Sequence, residues 1–212
     1  MELGLKGKTV IITGGASNIG RGITMCFAKE GTNLVIADLD EKQAGKVAEE
    51  VETFGSKAIA VKTDVTDYAD VEAMVKKTID EFGAVDVLIN NVGWDLQQLF
   101  IDTTPDFWDK VIAINYRSVL NCTKAVLGHM IERNRGVILS TGSDAGRIGE
   151  FREAVYGGTK GAVIAFTKAV AREVGRYNVG PEGGDESGEA EDPQEKELFV
   201  SFNNGLPRTD PT

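Results

Sequence analysis

The sequence predicts an α/β fold built on a doubly wound parallel sheet. Three observations carry this expectation. Short apolar runs alternate with helical patterns from the N-terminus to Val179. The runs show no inside–outside alternation, as expected of strands covered on both faces. Several helical patterns stop at glycines, Gly31, Gly55 and Gly83 among them, where the chain can reverse direction. Strand–helix–strand units of this kind assemble into parallel sheets.

The elements follow in order. Thr9–Thr13 is a β-branched run and the first predicted strand, and Ile19–Glu30 is a helix stopped by Gly31. Asn33–Ala37 is the second strand, Glu41–Phe54 a helix ending at Gly55, and Lys57–Val61 the third strand. Val71, Met74, Val75, Ile79 and Phe82 recur at offsets 0, 3, 4, 8 and 11, one face of a helix closed by Gly83. Val85–Ile89 is a fourth strand. Pro105 suits the first turn of a long helical region reaching Glu132. Gly136–Thr141 is a fifth strand, and Val155–Tyr177 a final helix.

Composition narrows the function classes. The 212 residues fit one domain, and 42% hydrophobic with 26% charged residues is the balance of a soluble globular chain. No apolar run reaches the roughly 18 residues of a membrane span. The N-terminal residues run straight into a strand pattern without a secretory leader's apolar stretch, so a cytoplasmic location is expected. With one histidine, His129, a His-rich metal site is excluded, and His129 itself reads as a surface residue; no metal is expected. Cys26 falls on the apolar stripe of the first helix, beside Ile19, Ile23 and Phe27, and is expected to be a small buried thiol. No G-x-S-x-G elbow occurs, which argues against a hydrolase triad.

The net charge of −10 is unevenly spread. Residues 180–212 hold nine acidic and two basic side chains, so the acidity belongs to the C-terminal stretch and the body is near neutral. A body without a basic patch argues against nucleic acid as a partner.

The chemistry is concentrated in spaced motifs. Behind the first strand stands Gly14-Gly15-Ala16-Ser17-Asn18-Ile19-Gly20-Arg21-Gly22. A strand, a Gly-rich turn and a helix N-terminus together form a pyrophosphate cradle of backbone N–H groups. Asp38 follows the second strand, one strand–helix–strand unit on from Gly14. A carboxylate there can accept hydrogen bonds from both adenosine ribose hydroxyls and would repel a 2′-phosphate. Tyr156 and Lys160 stand four apart on a predicted helix and share a face. A nearby ammonium favours the phenolate, so Lys160 is expected to bring Tyr156 toward the range of a general base. Ser143 lies upstream of Tyr156, just past the fifth strand, where its hydroxyl can steady a developing alkoxide.

Thr13-Gly14-x-x-x-Asn18-x-Gly20, Asp64-Val65, Asn90-Asn91-Val92-Gly93, Asn115, Ser143 and Tyr156-x-x-x-Lys160 stand in an order and spacing that resemble the short-chain dehydrogenase/reductase family. The resemblance covers residues 5–179 and implies a Rossmann-type fold and an NAD-dependent interconversion of a secondary alcohol and a ketone. It implies catalytic roles for Asn115, Ser143, Tyr156 and Lys160, Asn115 holding a water that links Lys160 to solvent. It further implies that Gly14, Ser17, Asn18, Ile19, Gly20, Asp38, Asp64, Val65, Asn91 and Gly93, with Tyr156 and Lys160, contact the dinucleotide. Asn18 stands where the family usually has Gly, and Val92 replaces the usual Ala, adding bulk on the adenosine side. Arg21 lies inside the turn but is common there, and Asp38 is followed by Leu39 and Asp40, so NAD is expected rather than NADP.

The stretches around Trp94-Asp95 and Ser143–Tyr156 resemble the 2-hydroxycyclohexanecarboxyl-CoA dehydrogenase branch, which acts on a cyclic hydroxyacyl-CoA. They are also compatible with the 3-oxoacyl-carrier-protein reductase-like branch. Asp95 and Asp144 are candidates to shape a substrate pocket, and Arg147 and Arg152 to meet a CoA phosphate.

A family member continues past Val179 with a sixth strand and a Pro-Gly turn, and Gly180-Pro181 does not resemble that turn. The expected organisation is therefore a catalytic domain over residues 1–179, lacking the family's last strands, and an acidic Gly/Pro-rich tail over 180–212. The tail's composition predicts disorder, and only Leu198-Phe199-Val200 and Phe202 could dock anything. A tetramer is in doubt, and a homodimer through the helices near 110–132 and 155–177 is compatible. A catalytically impaired nucleotide-binding chain is the alternative to an active enzyme.

Overall fold

A computed structural model describes residues 3–177 and residue 179. Five parallel strands, β1 (Thr9–Thr13), β2 (Asn33–Asp38), β3 (Lys57–Lys62), β4 (Val87–Asn90) and β5 (Val137–Ser140), lie in the order β3-β2-β1-β4-β5. The doubly wound α/β expectation is met, and each strand end falls close to its predicted position.

Period two along each strand sends neighbouring side chains to opposite faces, which divides the core in two. Ile11, Val35 and Leu88 point toward α3 (Tyr68–Phe82), α5 (Ser118–Glu132) and α7 (Ala154–Val174). Val10, Ile12, Leu34 and Ile36 point toward α1 (Asn18–Lys29) and α2 (Glu41–Glu52). Burial on both faces is why these strands read as unbroken apolar runs.

Local chemistry sets the ends of the helices. Asp40 caps α2 by accepting the Gln43 N–H at 2.9 Å, and Asp67 caps α3 by accepting that of Ala69 at 2.8 Å. Gly83 ends α3 in the left-handed conformation, φ 81°. Thr104 caps α4 (Pro105–Ile112), with Pro105 in the first turn.

Three expectations need correction. Cys26 is exposed, not buried. The inward face of α1 is Gly20, Thr24 and Ala28, small residues that let the helix lie close on the sheet, and Cys26 projects away from it. His129 does more than sit on the surface: its Nε2 accepts the Val85 N–H at 3.3 Å, tying α5 to the approach of β4. The long helix predicted from Pro105 to Glu132 is interrupted by a π-helical turn, Ala113–Arg117, between α4 and α5. The expectations for the tail lie outside the described residues. Among the described residues, no helix is long and apolar enough to cross a membrane.

Candidate active site

The strand order reverses between β1 and β4, since β1 leads outward to β2 on one side and the chain returns to pair β4 on the other. At such a switch point the loops leaving the carboxyl ends of the strands part and leave a crevice. The residues singled out by sequence gather around it.

The loop after β1 is shaped for close approach. Gly14 has φ 64° and Asn18 φ 47°, so the Asn in place of the usual Gly does adopt the left-handed backbone that Asn tolerates. Ser17, Asn18 and Ile19 crest the loop exposed, while Gly20 is buried in the first turn of α1. A Cβ on Gly20 would run into the Gly14 carbonyl oxygen and lie 2.6 Å from Asn91 Nδ2. Asn91 binds this loop to β4: its side-chain amide donates to the carbonyls of Thr13 at 3.0 Å and Gly14 at 3.3 Å. The added methyls of Val92 lie beside the same loop, with Cγ2 3.1 Å from where a Gly14 Cβ would be.

Asp38 reaches back from the end of β2 across the loop. One carboxylate oxygen accepts the Ala16 N–H at 3.2 Å and the other accepts that of Asp40 at 3.1 Å. Arg21 is turned away into a two-pronged ion pair with Glu50 of α2, at 2.6 Å to each oxygen. At the end of β3, Asp64 accepts both the backbone N–H (2.9 Å) and the hydroxyl (2.6 Å) of Thr66. Val65 beside it is buried, and its carbonyl accepts from Asn121 at 3.1 Å. The glycine cradle, the exposed helix N-terminus and the carboxylate at the second strand fit a dinucleotide.

Asn115 sits inside the π turn, fully buried. Such a turn inserts a residue into the helix and swings a side chain off its regular path. The Asn115 amide donates to the carbonyls of Trp94 (2.6 Å) and Val111 (2.9 Å), and its oxygen accepts the Trp94 N–H at 3.1 Å. Gly93 lies between it and Lys160: a Cβ there would be 3.1 Å from Asn115 Oδ1 and 3.7 Å from Lys160 Nζ.

Lys160 is 3% exposed and donates to the Thr141 carbonyl at 2.8 Å. Its Nζ lies 5.7 Å from the centre of the Tyr156 ring. Burial pulls its pKa down to about 8. Burial also pushes the Tyr156 phenol above its ordinary value; a hydrogen bond with the Ser143 side chain opposes this, and the charges of Glu153 and Asp95 add to it. The expected depression of Tyr156 by Lys160 is therefore not what this geometry produces. Desolvation dominates at both groups, raising the phenol and lowering the amine. What the residues assemble is two hydrogen-bonded hydroxyls, Ser143 and Tyr156, backed by a buried amine: a set able to pass a proton to or from an oxygen bound between them.

Sequence reasoning missed the device that joins these parts. The short helix α6 (Ala145–Ile148) packs backbone to backbone on α7. A Cβ on Gly146 would lie 2.6 Å from Gly161 N, and one on Gly157 would lie 2.8 Å from the Ala145 carbonyl. No sequence signal marks Glu153 as a charge on Tyr156. It accepts from Gln97 Nε2 at 2.7 Å, while the Arg152 carbonyl accepts the Gln98 N–H at 3.0 Å, so the loops after β4 and β5 are laced together. Asp95 lies in that lacing, its Oδ2 buried and lacking a partner among the described residues. Asp144 pairs with Arg147 at 3.2 Å on the exposed side of α6. Leu96, Leu99, Phe100, Ile101, Ile148 and Phe151 line the same two loops, and all are exposed.

Residues 8–180 match the family model described as short chain dehydrogenase. A (2S)-[(R)-hydroxy(phenyl)methyl]succinyl-CoA dehydrogenase subunit from Thauera aromatica is 33% identical over 177 residues, 84% of this chain and 71% of that protein. A 3-oxoacyl-[acyl-carrier-protein] reductase from Thermotoga maritima is 33% identical over 175 residues, 82% and 71%. Among solved structures, NAD+-bound xylitol dehydrogenase superposes with a TM-score of 0.81 at 33% identity, covering 83% of this chain and 68% of that one. The 3-ketoacyl-(acyl-carrier-protein) reductase from Brucella melitensis complexed with NADH gives 0.79 at 34% identity, covering 83% and 73%.

Proposed function

The chain belongs to the short-chain dehydrogenase family, a family of oxidoreductases, and we propose that it interconverts a secondary alcohol and a ketone with NAD as its cofactor. The observation that carries this reading is the contact chain Ser143–Tyr156–Lys160 at the mouth of the crevice, beside the glycine cradle. Tyr156 takes the proton from the substrate hydroxyl. Ser143 donates a hydrogen bond to the same oxygen and stabilises the charge that develops there. Lys160 holds the proton path behind Tyr156, and Asn115 sets the backbone beside it by gripping Trp94. Nicotinamide, when bound, supplies the hydride acceptor or donor. Gly14, Ser17, Asn18, Ile19 and Gly20 would hold the pyrophosphate, Asp38 the adenosine ribose, Asp64 and Val65 the adenine, and Asn91 and Gly93 the approach to the nicotinamide side.

Asp38 supports NAD over NADP, because a carboxylate fixed at the loop repels a 2′-phosphate. Arg21, the basic residue nearest by sequence, is engaged by Glu50. For the substrate, the exposed apolar side chains on the loops after β4 and β5 support an acyl compound over a sugar. A cyclic 2-hydroxyacyl-CoA is the first choice, and a 3-oxoacyl thioester the second on the same apolar rim.

Reduction of NAD, followed by absorbance, tests the reading with cyclic 2-hydroxyacyl-CoA, linear 3-hydroxyacyl thioesters and simple sugars. The cyclic thioester should give the highest kcat/KM, and a clear preference for a sugar counts against the acyl reading. Tyr156→Phe should lower turnover by at least ~10²-fold with NAD affinity unchanged. Near-normal turnover in that variant refutes the assignment. Calorimetric NAD binding without turnover on any alcohol would leave a nucleotide-binding chain.

A further inference from the structure

A charged substituent on a substrate must be placed among the charges around the reacting oxygen, and at this site those charges are unbalanced. Asp95, on the loop after β4, and Glu153, at the start of α7, share the wall of one small pocket with Phe100, Phe107 and Val155, the residue before Tyr156. Both carboxylates act on the Tyr156 phenol, and Glu153 acts on Asp95 as well. Gln97 keeps Glu153 turned toward this loop by donating to it at 2.7 Å. Asp95 Oδ2 is buried without a hydrogen-bond partner among the described residues. Among the described residues, neither carboxylate forms an ion pair.

The cations of the region are engaged elsewhere. Arg147 is paired with Asp144 at 3.2 Å. The Lys110 ammonium lies over the Trp94 ring, 3.8 Å from its centre. Arg152 lines the same pocket, but its guanidinium stands against the Phe151 ring, 5.7 Å from its centre. Lys160 is buried on the Thr141 carbonyl.

Resting on the reading of Tyr156 as the residue that takes the substrate proton, we propose that Asp95 and Glu153 determine specificity by excluding a carboxylate close to the reacting carbon. The substrate class is then a hydroxyacyl compound whose carboxyl group is carried as a neutral thioester, ester or amide, and the free hydroxy acid is refused. A carboxylate on the carbon next to the carbinol carbon cannot be carried far from the oxygen that Tyr156 holds. It therefore meets both protein carboxylates in a partly desolvated setting, where like charges repel more strongly than in water. Repulsion of this kind discriminates without any added attraction for the correct substrate.

Two ligand pairs matched in shape and differing in charge test this at pH 8. With NAD, 2-hydroxycyclohexanecarboxamide is compared with 2-hydroxycyclohexanecarboxylate. The unaltered chain should favour the amide in kcat/KM by at least ~10-fold, and Asp95→Asn and Glu153→Gln should each shrink that preference by ~3-fold or more. Without chemistry, cyclohexanecarboxamide and cyclohexanecarboxylate are titrated calorimetrically into the NADH-loaded chain, whose neutral dihydronicotinamide adds no attraction for an anion. The same order and the same shrinkage are expected. A variant that slows both substrates by one factor has lost structure, and a preference unmoved in both variants overturns the proposal. A preference for the carboxylate in the unaltered chain also overturns it and gives the pocket to Arg152, as does binding of neither analogue. Turnover of both substrates without preference defeats the charge exclusion alone. A binding preference without turnover of either alcohol supports the exclusion and defeats the alcohol–ketone reading.

Discussion

Two nearby glycines on α1, Gly20 and Gly22, should respond to alanine with opposite signs. Gly22 is exposed on the helix, and a Cβ there meets nothing within 4 Å. Gly22→Ala should stabilise by about 0.5–1 kcal/mol through reduced backbone entropy of the unfolded chain. At about 2–4 °C per kcal/mol for a chain of this size, Tm should rise by roughly 1–4 °C. At Gly20 the new methyl would collide with the Gly14 carbonyl oxygen and lie 2.8 Å from its carbon and 2.6 Å from Asn91 Nδ2. None of these is the free end of a flexible side chain. Asn91 is pinned by two carbonyls, and Gly14 is held by its hydrogen bond to the Ala37 carbonyl at 2.7 Å. Either α1 or the loop must therefore move. Overpacking of this kind costs about 1–3 kcal/mol, so Tm should fall by roughly 2–12 °C. The displaced loop should also weaken NAD binding by about tenfold or more, which is ~1.4 kcal/mol. Differential scanning calorimetry and isothermal titration with NAD read both effects. Unchanged Tm and NAD affinity in Gly20→Ala would refute the close-approach reading of this turn.

Asp38→Ala should narrow the preference for NAD over NADP by weakening the first and relieving repulsion of the second; equal affinity for both in the unaltered chain would defeat the ribose assignment. Glu153→Gln keeps the shape that meets Gln97 but removes a charge that holds Tyr156 up. The ascending limb of kcat/KM for alcohol oxidation, set by loss of the Tyr156 proton, or a phenolate absorbance titration of Tyr156, should then move to lower pH, and an unmoved midpoint would remove Glu153 from the site's electrostatics. Lys160 is held at about 8 in the fold against 10.5 ordinarily, so the unfolded chain binds more protons between those values. Stability should therefore gain more across that window in the unaltered chain than in Lys160→Met, and equal slopes in chemical denaturation would contradict the burial argument.

The strands are legible in the sequence because both their faces are buried, which leaves an unbroken apolar signature at β1, β2 and β4. Helix ends are legible where one residue type decides them, as at Gly83 and Pro105. Cys26 is misplaced by the same reasoning because an apolar stripe need not be the inward face. The tightest contact on α1 is made by Gly20, Thr24 and Ala28, which carry little hydrophobic signal. The π turn at Asn115 is not legible, since Ala113–Arg117 has no composition distinguishing it from the α-helices on either side. Its cause is tertiary: Asn115 is drawn to both backbone groups of Trp94.

The site is legible as a set of residues but not as an electrostatic environment. The rule that a lysine one helical turn on lowers a tyrosine's pKa considers two groups alone. Here the same burial that brings them together raises Tyr156 and lowers Lys160, and the carboxylates of Glu153 and Asp95 arrive from loops whose lacing no local pattern announces. The sequence separation of Ser143 and Tyr156 likewise does not by itself make their hydroxyls meet. That contact depends on α6 lying against α7 closely enough for Gly146 to touch the backbone of Lys160 and Gly161. A methyl group at Gly146 would lie 2.6 Å from the Lys160 carbonyl carbon and 2.9 Å from its Cβ, so α6 would have to lift and carry Ser143 with it. The alignment of the two hydroxyls is therefore decided by glycines that take no part in the chemistry.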